Sequence, residues 1–423
     1  SLIESIYKIF LIMKKNKKTT IALTGGATGG HIFPLLSIYN YLKENENLDF
    51  YWFGEEEGLE FDIAMENNIK FIDIPAGKLR RYFDLRNFFE PLKNITGIFF
   101  AIYFIIRYKI NIIFSKGGYV AIPICIAGFL LRKKIYIHES DTVPGLANKI
   151  ISKLATKVFY TFPNQKTESG DEKHIFVGQI LNPEILNGVK NLRLDENPYL
   201  NVIVIAGSQG STRIFENLLK VLPKLDFIDF TIILGEKNTH FKKDLEKFGN
   251  VKTYDFINQK ELGKILKQTD IAITRAGATT LWELTMFGIH SIIIPLSESA
   301  GNHQTKNAEF FKQNYGSDIL FENEQLAENI FIKLEKYKNL RKSGLNLENF
   351  FNALEKIEKE ILGENIEIES KFEKEVNLNN KKFEQKIEKK ESLEKKEIKN
   401  KDTSNFQTFS IKKIKKIEKE KKE

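Results

Sequence analysis

Short apolar runs alternate with longer segments of mixed polarity between residues 13 and 362. The runs are continuous rather than alternating, which is typical of parallel strands covered by helices on both faces. Most intervening segments are long enough for a crossover helix. Strands are predicted at residues 20–23, 49–53, 110–115, 134–138, 157–161, 202–206, 230–234, 251–255, 271–274 and 291–294. The pattern predicts an α/β protein with two Rossmann-like domains, whose parallel sheets face each other across a cleft.

The same pattern divides the chain into segments. Met13 and the lysines after it look like a natural start, so the residues before Met13 are interpreted as a leader outside the native protein. The predicted segments are the leader (1–12), an N-terminal domain (13–178), a C-terminal domain (179–345) with a linker region at 182–198, a helix returning to the N-terminal domain (346–363), and a tail (364–423).

Composition narrows the class of protein. A chain of 423 residues is too long for one hydrophobic core. Its single cysteine, Cys125, excludes a disulfide framework and is typical of a reducing compartment. No apolar run reaches the ~18 residues needed to cross a bilayer. We therefore expect a cytoplasmic protein.

The net charge of +8 is unevenly distributed. About half of it lies in residues 364–423, which are rich in Lys and Glu and contain no Gly, Pro, Trp or Tyr. Such a segment cannot bury enough apolar surface to fold alone, so we predict a disordered tail or a loose charged helix. Binding of anionic lipid or nucleic acid by its Lys-rich end is the alternative. No nucleic-acid partner is expected for the protein as a whole.

The first strand runs into the sequence TGGATGGH at residues 24–31, followed by a predicted helix at 32–42 with Pro34 in its first turn. A glycine turn at this junction lets the backbone approach a ligand closely and directs free N–H groups at an anion. An ordinary tight turn is the alternative interpretation of a glycine cluster taken alone. His31 adds chemistry, because an imidazole titrates near neutral pH.

Polar loops follow several of the other predicted strands. Ligands of open parallel sheets bind beyond the carboxyl ends of the strands, so these loops are predicted to converge on one site. The loops are SKGGY (115–119), HESDTVPGLAN (138–148), a second glycine turn GSQG (207–210), TRAGATTLWE (274–283) and GNHQ (301–304).

Together these motifs resemble the MurG family of glycosyltransferases over residues 17–362. The resemblance rests on residues 25–34, 115–119, 138–149, 207–210, 275–283 and 302–308. It implies the GT-B fold and inverting transfer of N-acetylglucosamine from UDP-GlcNAc to the C4 hydroxyl of MurNAc in lipid I, giving lipid II for peptidoglycan synthesis. It also implies a peripheral enzyme at the cytoplasmic face of the bacterial membrane. UDP-GlcNAc is then a substrate, and no cofactor or bound catalytic metal is expected.

The resemblance assigns roles to individual residues. The expected catalytic residues are His31 and Glu139. Donor-binding residues are expected to be Thr28, Gly29, Gly30, Asp141, Ser208, Ile257, Arg275, Ala278, Thr279, Thr280, Glu283, His303 and Gln304. Acceptor-binding residues are expected to be Gly117, Gly118, Tyr119, His138 and Asn148.

Some of these roles are specific and others stay open. Glu283, one residue into a predicted helix, is expected to accept the ribose hydroxyls, while backbone N–H groups of residues 278–280 face the diphosphate. His31 either acts as the base or only positions substrate, and Arg275 either clamps phosphate or forms a structural ion pair. Many relatives have His-Glu-Gln-Asn where this chain has HESD at 138–141.

A lipid acceptor requires contact with the bilayer. Residues 79–89 mix arginines with aromatic residues, which suits an interface with an anionic membrane surface. The apolar run at 97–106 is too short to span a bilayer and is interpreted as a buried core helix.

Three other functions compete with this assignment. One is a GT-B transferase with a different lipid acceptor. Another is a nicotinamide-dependent dehydrogenase, although Phe53 and Gly54 occupy the place of its acidic residue and Glu55 follows only afterwards. The third, a scaffold that uses the charged tail, does not explain the loops. Other cell-wall synthesis proteins are considered as partners.

Overall fold

A computed structural model describes residues 18–26, 29–78, 90–182, 184–187, 199–207, 211–299, 302–342 and 348–363. The predicted leader (1–12), the basic aromatic segment (79–89) and the tail (364–423) lie outside these ranges. So do two of the expected donor-binding residues, Thr28 and Ser208.

The first half of the chain forms a parallel sheet of seven strands in the order β3-β2-β1-β4-β5-β6-β7. The strands are β1 (Thr19–Gly25), β2 (Leu48–Gly54), β3 (Lys70–Asp73), β4 (Ile112–Gly117), β5 (Lys134–Glu139), β6 (Lys157–Tyr160) and β7 (His174–Phe176). The helices are α1 (Gly29–Leu42), α2 (Leu59–Glu66), α3 (Glu90–Arg107), α4 (Ala121–Leu130), α5 (Leu146–Leu154) and α6 (Gln165–Glu168).

The second half forms a parallel sheet of six strands in the order β10-β9-β8-β11-β12-β13. The strands are β8 (Leu200–Ile205), β9 (Ile228–Ile233), β10 (Val251–Tyr254), β11 (Ile271–Thr274), β12 (His290–Ile293) and β13 (Asp318–Ile319). The helices are α7 (Glu184–Asn187), α8 (Thr212–Val221), α9 (Lys242–Leu245), α10 (Gln259–Gln268), α11 (Ala278–Met286), α12 (His303–Tyr315), α13 (Leu326–Lys336) and α14 (Glu348–Leu362), with 3₁₀ turns at Leu222–Lys224 and Glu236–Phe241.

The order of strands reverses once in each sheet, between β1 and β4 and between β8 and β11. At such a reversal the crossover helices leave on opposite faces of the sheet, which opens a crevice beyond the carboxyl ends of the two strands. The first glycine turn follows β1 and SKGGY lies at the end of β4. The second glycine turn follows β8, and residues 275–280 follow β11. All four loops therefore flank the two crevices.

The predicted fold class is confirmed, and each predicted strand is present to within about two residues at each end. The prediction missed β3, β7 and β13, and each of these is the outermost strand at one edge of its sheet. An edge strand is covered on fewer sides, so its sequence carries fewer apolar residues to mark it.

Helix α3 corrects the interpretation of residues 97–106 as a buried core helix. One face is buried through Gly97, Ala101 and Ile105, and a Cβ atom on Gly97 would lie 2.0 Å from the carbonyl oxygen of Pro75. The opposite face is exposed and apolar. Its members are Leu92, Ile95, Phe99, Phe100, Tyr103 and Ile106. In the described ranges, no helix is both long and apolar enough to cross a bilayer.

Helices α7 and α14 anchor the segments that connect the two halves. Helix α7 packs closely on α10, where a Cβ atom on Gly263 would come within 1.9 Å of the carbonyl oxygen of Ile185. Helix α14 lies against the first sheet, where Tyr136 Oη donates to the carbonyl oxygen of Glu360 at 3.1 Å and Lys157 pairs with the Glu360 carboxylate at 3.2 Å.

Candidate active site

His31 lies in the first turn of α1, which begins at Gly29 rather than at residue 32 as predicted. Its Nδ1 lies 3.0 Å from the carbonyl oxygen of Gly26. A carbonyl only accepts, so Nδ1 carries the proton and Nε2 is the proton-accepting nitrogen of the neutral ring. Burial lowers the pKa of His31, and the positive charge of Lys116 lowers it further. His31 is therefore held in its neutral form near pH 7.

Gly117 and Gly118 bring the end of β4 against this turn. Their φ angles are +90° and +82°, a region that residues with a side chain rarely adopt. A Cβ atom on Gly118 would lie 3.0 Å from the Gly26 carbonyl oxygen, and one on Gly117 would lie 1.8 Å from Asn148 Oδ1. Only glycine fits at both positions.

Glu60 is a site residue that the sequence analysis missed. It lies in the first turn of α2 and is 1% exposed. Its carboxylate reaches the first glycine turn, where a Cβ atom on Gly26 would lie 2.3 Å from Glu60 Oε1. The acidic run EEEGLE at 55–60 gave no indication of which carboxylate turns inward.

His138 lies beneath the site rather than in it. The ring is fully buried, its Nε2 donates to the carbonyl oxygen of Gly178 at 2.9 Å, and its Nδ1 accepts from Lys116 Nζ at 2.7 Å. Both ring nitrogens are therefore engaged within the protein. In this arrangement, neither ring nitrogen of His138 is available for the predicted contact with the acceptor.

Glu139 is buried at the end of β5. Its carboxylate accepts from Asn148 Nδ2 at 2.8 Å and from the backbone N–H of Asp141 at 2.9 Å. Burial raises its pKa in spite of these donors. Asn148 Oδ1 makes no hydrogen bond within the described part of the chain.

The hydroxyl of Tyr119 is hydrogen-bonded to an acidic residue that directly follows β2. Its hydroxyl donates to Glu55 Oε2 at 2.6 Å, and the Lys78 ammonium lies 5.7 Å from the centre of its ring. Burial and this carboxylate raise the pKa of Tyr119. Glu55, the acidic residue closest to the place a dehydrogenase would use, is thus engaged by Tyr119.

A cavity of about 250 Å³ lies at the crevice of the second sheet. Its lining residues are Ala206, Gly207, Thr274, Arg275, Gly277, Thr280, Leu296 and Gln304. Helix α11 begins here at Ala278, after an extended Gly277 that supplies no side-chain cap. The N–H groups of the first turn and the positive end of the helix dipole are thus presented at the cavity.

Glu283 is the sixth residue of α11, not one residue into the helix as predicted, because the helix starts at Ala278. Its side chain is 5% exposed, and burial alone raises its pKa to about 8. The carboxyl group is therefore largely protonated at neutral pH.

Arg275 forms the structural ion pair that was one of its two predicted roles. Its guanidinium donates to Glu322 Oε1 at 2.5 Å, to Ser211 Oγ at 2.6 Å and to the carbonyl oxygen of Ile294 at 3.0 Å. It also lines the cavity. Arg275 thereby links Ser211, which follows the second glycine turn, to Ile294, which directly follows β12.

Of three further predicted donor-binding residues, Gln304 lines this cavity, whereas His303 and Ile257 are not among its lining residues. His303 begins α12, and Gln304 Oε1 accepts from the backbone N–H of Leu296 at 2.9 Å. Ile257 follows the carboxyl end of β10 and is half-exposed, outside the residues that line the cavity.

Asn307, in α12, joins the two crevices. Its Nδ2 donates to Asp141 Oδ1 at 3.0 Å and to the carbonyl oxygen of Ala276 at 3.1 Å, while its Oδ1 accepts from both the N–H and the hydroxyl of Thr142. A second bridge runs from Gln179 Nε2 to Thr279 Oγ1 at 2.7 Å. These bonds hold the loop at 141–142 against the loop at 276–279.

The described ranges contain no group of three or more His, Cys, Asp or Glu side chains placed to hold a metal ion.

Two parallel α/β sheets bridged at their carboxyl edges are the arrangement of the GT-B fold. The glycosyltransferase family 28 N-terminal domain matches residues 21–160, and the family 28 C-terminal domain matches residues 201–361. The chain belongs to glycosyltransferase family 28, in its MurG group.

The sequence is similar to curated enzymes from two clostridia. It is 34% identical over 346 residues to one from Clostridium botulinum (strain Alaska E43 / Type E3), covering 81% of this chain and 96% of the relative. It is 35% identical over 360 residues to one from Clostridium tetani (strain Massachusetts / E88), covering 80% and 98%. Both relatives are named UDP-N-acetylglucosamine--N-acetylmuramyl-(pentapeptide) pyrophosphoryl-undecaprenol N-acetylglucosamine transferase.

Solved structures support the fold. The crystal structure of Acinetobacter baumannii MurG superposes with a TM-score of 0.60 at 22% identity, covering 80% of this chain and 94% of that one. The UDP-GlcNAc 2-epimerase from Neisseria meningitidis, bound to UDP-GlcNAc, superposes with a TM-score of 0.57 at 13% identity, covering 82% and 99%.

The bridge made by Asn307 predicts a specific loss of stability. In an Asn307→Ala variant, Asp141, Thr142 and the Ala276 carbonyl lose a buried partner, so we expect a loss of about 2–4 kcal/mol, measured by urea unfolding. Asn314→Ala, on an exposed position of the same helix with only a bond to its own helix, is the control and should cost less than about 1 kcal/mol. Equal losses in the two variants would contradict the role of the bridge.

Proposed function

We propose that this chain transfers N-acetylglucosamine from UDP-GlcNAc to the C4 hydroxyl of MurNAc in lipid I (undecaprenyl-pyrophosphoryl-MurNAc-pentapeptide), with inversion, to give lipid II. The observation that carries the proposal is the Asn307 bridge, which holds Asp141 of the acceptor loop and the Ala276 carbonyl of the donor loop on one amide. The names of the clostridial relatives supply the two substrates. A transferase needs both substrates at one junction, and this bridge creates one.

The cavity at the start of α11 suits the diphosphate of UDP. The N–H groups of Ala278, Thr279 and Thr280 belong to an uncapped first turn, and the dipole of α11 adds positive potential there. Hydroxyls of Thr279 and Thr280 add donors. In this proposal Ser208 and Thr28 contact phosphate, Gly29 and Gly30 give the donor close access to the backbone, and Ile257 contacts uracil through backbone groups.

Sugar hydroxyls of the donor are assigned to the residues at the start of α12. His303 and Gln304 lie beside the cavity, and Asp141 reaches the same region through Asn307. Arg275 acts by holding Ser211 and β12 in place, since its guanidinium already donates to three protein groups.

His31 is assigned the role of general base. Its Nδ1–H donates to Gly26, so Nε2 takes the proton of the C4 hydroxyl as that oxygen attacks C1 of the donor sugar. The O4–C1 bond forms while the bond from C1 to the UDP oxygen breaks. The charge left on UDP is stabilised by the N–H groups of α11, so the chemistry is assigned to protein groups without a metal.

Glu139 is assigned to the acceptor side with Gly117, Gly118, Tyr119 and Asn148. Because its carboxylate already accepts two hydrogen bonds, it is less suited than His31 to take the proton and better suited to fix the loop.

Lipid I is anchored in the bilayer, so the enzyme must reach the membrane surface. The exposed face of α3 is mostly apolar, although Lys93 and Thr96 are also exposed on this helix, and Phe129 and Leu130 at the end of α4 are exposed as well. Exposed basic residues lie at the ends of these helices, including Arg107, Arg132 and Lys134. We assign this face, with the basic segment 79–89 that precedes it, to an anionic membrane at the cytoplasmic side of the cell membrane.

The activity is tested by radiolabelled transfer from UDP-GlcNAc to a short-chain lipid I analogue, with and without EDTA. We expect transfer in both conditions, and a 10²–10⁴-fold lower kcat in His31→Asn, which keeps a donor for Gly26 but lacks the basic nitrogen. A parent protein that glycosylates diacylglycerol but not lipid I would favour the rival transferase. Full turnover by His31→Asn would leave His31 as a positioning group only.

Glu283 predicts a pH dependence of UDP binding. The pKa of Glu283 is about 8 in the free protein. The hydroxyl donors of ribose therefore bind best after the Glu283 carboxyl group has lost its proton. We therefore expect UDP affinity to rise from pH 6.5 to 8.5, with proton release detected by calorimetry in buffers of different ionisation enthalpy. In Glu283→Gln the affinity should be lower and independent of pH over this range. An unchanged profile in this variant would remove the ribose assignment.

Membrane binding is tested by sedimentation with phosphatidylglycerol vesicles. A Phe99→Ser/Tyr103→Ser variant removes side chains that are 68% and 58% exposed, so folding should be unaffected while vesicle affinity falls about tenfold or more. The control is Phe321→Ser/Ile332→Ser, which changes residues 56% and 51% exposed in the second half of the chain. Equal binding by both variants would exclude the α3 face.

A further inference from the structure

Lys116 is a buried cation that none of the roles above uses. It is the last residue but one of β4, and its side chain is 1% exposed. Its Nζ donates to His138 Nδ1 at 2.7 Å and to Ser140 Oγ. A Cβ atom on Gly25 would lie 3.1 Å from Lys116 Cβ, so the lysine lies directly against the first glycine turn.

The positive charge of this cluster belongs to Lys116 and not to His138. The ring of His138 accepts from the ammonium at Nδ1 and donates to Gly178 at Nε2, which is the pattern of a neutral imidazole. Burial and the adjacent ammonium both lower the pKa of His138. His138 therefore acts as a neutral acceptor that orients the lysine.

Two carboxylates compensate this buried charge. Burial lowers the pKa of Lys116, whereas Glu139 and Asp141 raise it. An isolated ammonium in an apolar interior is strongly disfavoured, so these two carboxylates are what keep it charged. Ser140, which lies between these two carboxylates in the chain, also accepts from Lys116.

Among the described residues, Lys116 from β4 and Asp141 from the loop after β5 are charged groups that act on His31. Glu60 from α2 lies beside Gly26, whose carbonyl oxygen accepts from His31. Lys116 disfavours a proton on His31, and Asp141 favours one. The two charges therefore oppose each other at the imidazole.

We propose that Lys116 is a positioning residue for the transfer reaction: its buried ammonium fixes the 138–141 loop and, by balancing Asp141, adds to the burial that keeps His31 neutral and able to accept a proton. This inference rests on the proposed function, in which His31 is the base. It explains how this chain accommodates a carboxylate at position 141 beside the base. Without the lysine, the burial of the ring remains, but Asp141 is no longer opposed and shifts His31 toward its protonated, inactive form.

The test is the pH profile of kcat/KM for UDP-GlcNAc transfer to the lipid I analogue, in the full-length protein. Removing the cation in Lys116→Met should move the acidic limb to higher pH by about one unit, because both His31 and Glu139 then hold their protons more tightly. Asp141→Asn should move it to lower pH. In the Lys116→Met/Asp141→Asn double variant, the acidic limb should lie close to that of the parent protein, whatever the absolute rate of the variant.

A purely structural lysine gives a different result. It would lower kcat at every pH without moving the limb, and the double variant would be no closer to the parent than Lys116→Met. Either observation would overturn the proposal. If Lys116→Met does not fold, the Asp141→Asn variant still tests the proposal. In that variant, an acidic limb that stays in place or moves to higher pH would contradict the opposing effects of Lys116 and Asp141 on His31.

A second measurement separates this inference from the proposed function. The His31 ring is titrated by NMR in the absence of substrates, with His31→Asn identifying its resonance. We expect the midpoint to rise in Lys116→Met and to recover in the double variant. A parent inactive on lipid I with these shifts present would refute the function alone. An active parent whose His31 midpoint does not respond would refute the role of Lys116 alone.

Discussion

The amide of Asn307 is completely satisfied across the junction of the two sheets. Both of its N–H groups are donated, one to the Asp141 carboxylate and one to the Ala276 carbonyl, and its oxygen accepts twice from Thr142. A buried amide with every bond made has one favourable orientation, since any rotation leaves a polar group without a partner. The amide of Asn307 is therefore a strong constraint on the relative position of the two crevices, beside the bridge from Gln179 to Thr279. Phe162 strengthens the same junction by packing edge-on against Phe310, at 4.8 Å between ring centres.

The arrangement of loops around this junction was predictable from sequence, because it follows from parallel strands alone. Buried parallel strands carry continuous apolar runs, and the loop after each run must lie at the carboxyl edge. The edge strands were not predictable in the same way. In β7 no residue is fully buried, and β13 has only two residues, so neither carries an apolar run. The prediction for helix α3 was wrong for the opposite reason. A run without polar residues does not indicate which face of the helix is exposed.

The partners that organise the site were beyond the reach of sequence patterns. Glu60, Lys116 and Asn307 are each single polar residues within otherwise ordinary helices or strands, and their partners are distant along the chain. No periodicity distinguishes a carboxylate that turns inward from its neighbours in an acidic run. The start of α11 was similarly obscured, because Gly277 and the threonines after it have the composition of a loop. The burial of Glu283 follows from that earlier start, which places it in the second turn of the helix.

The two crevices solve the problem of buried charge in different ways. On the donor side no cation of the described residues lowers the pKa of Glu283, and burial raises this pKa to about 8. In the proposed ribose contact, its ionisation is therefore coupled to binding. On the acceptor side the charges are paired within the protein: Lys116 faces Glu139 and Asp141, and His138 stays neutral between them. A carboxyl without a cation beside it responds to its ligand, whereas in the paired cluster each charge shifts the protonation of the others. In the proposed reaction, the donor side is therefore the half of the site whose charge changes when UDP binds. The charges of the acceptor-side cluster set the field in which His31 receives its proton.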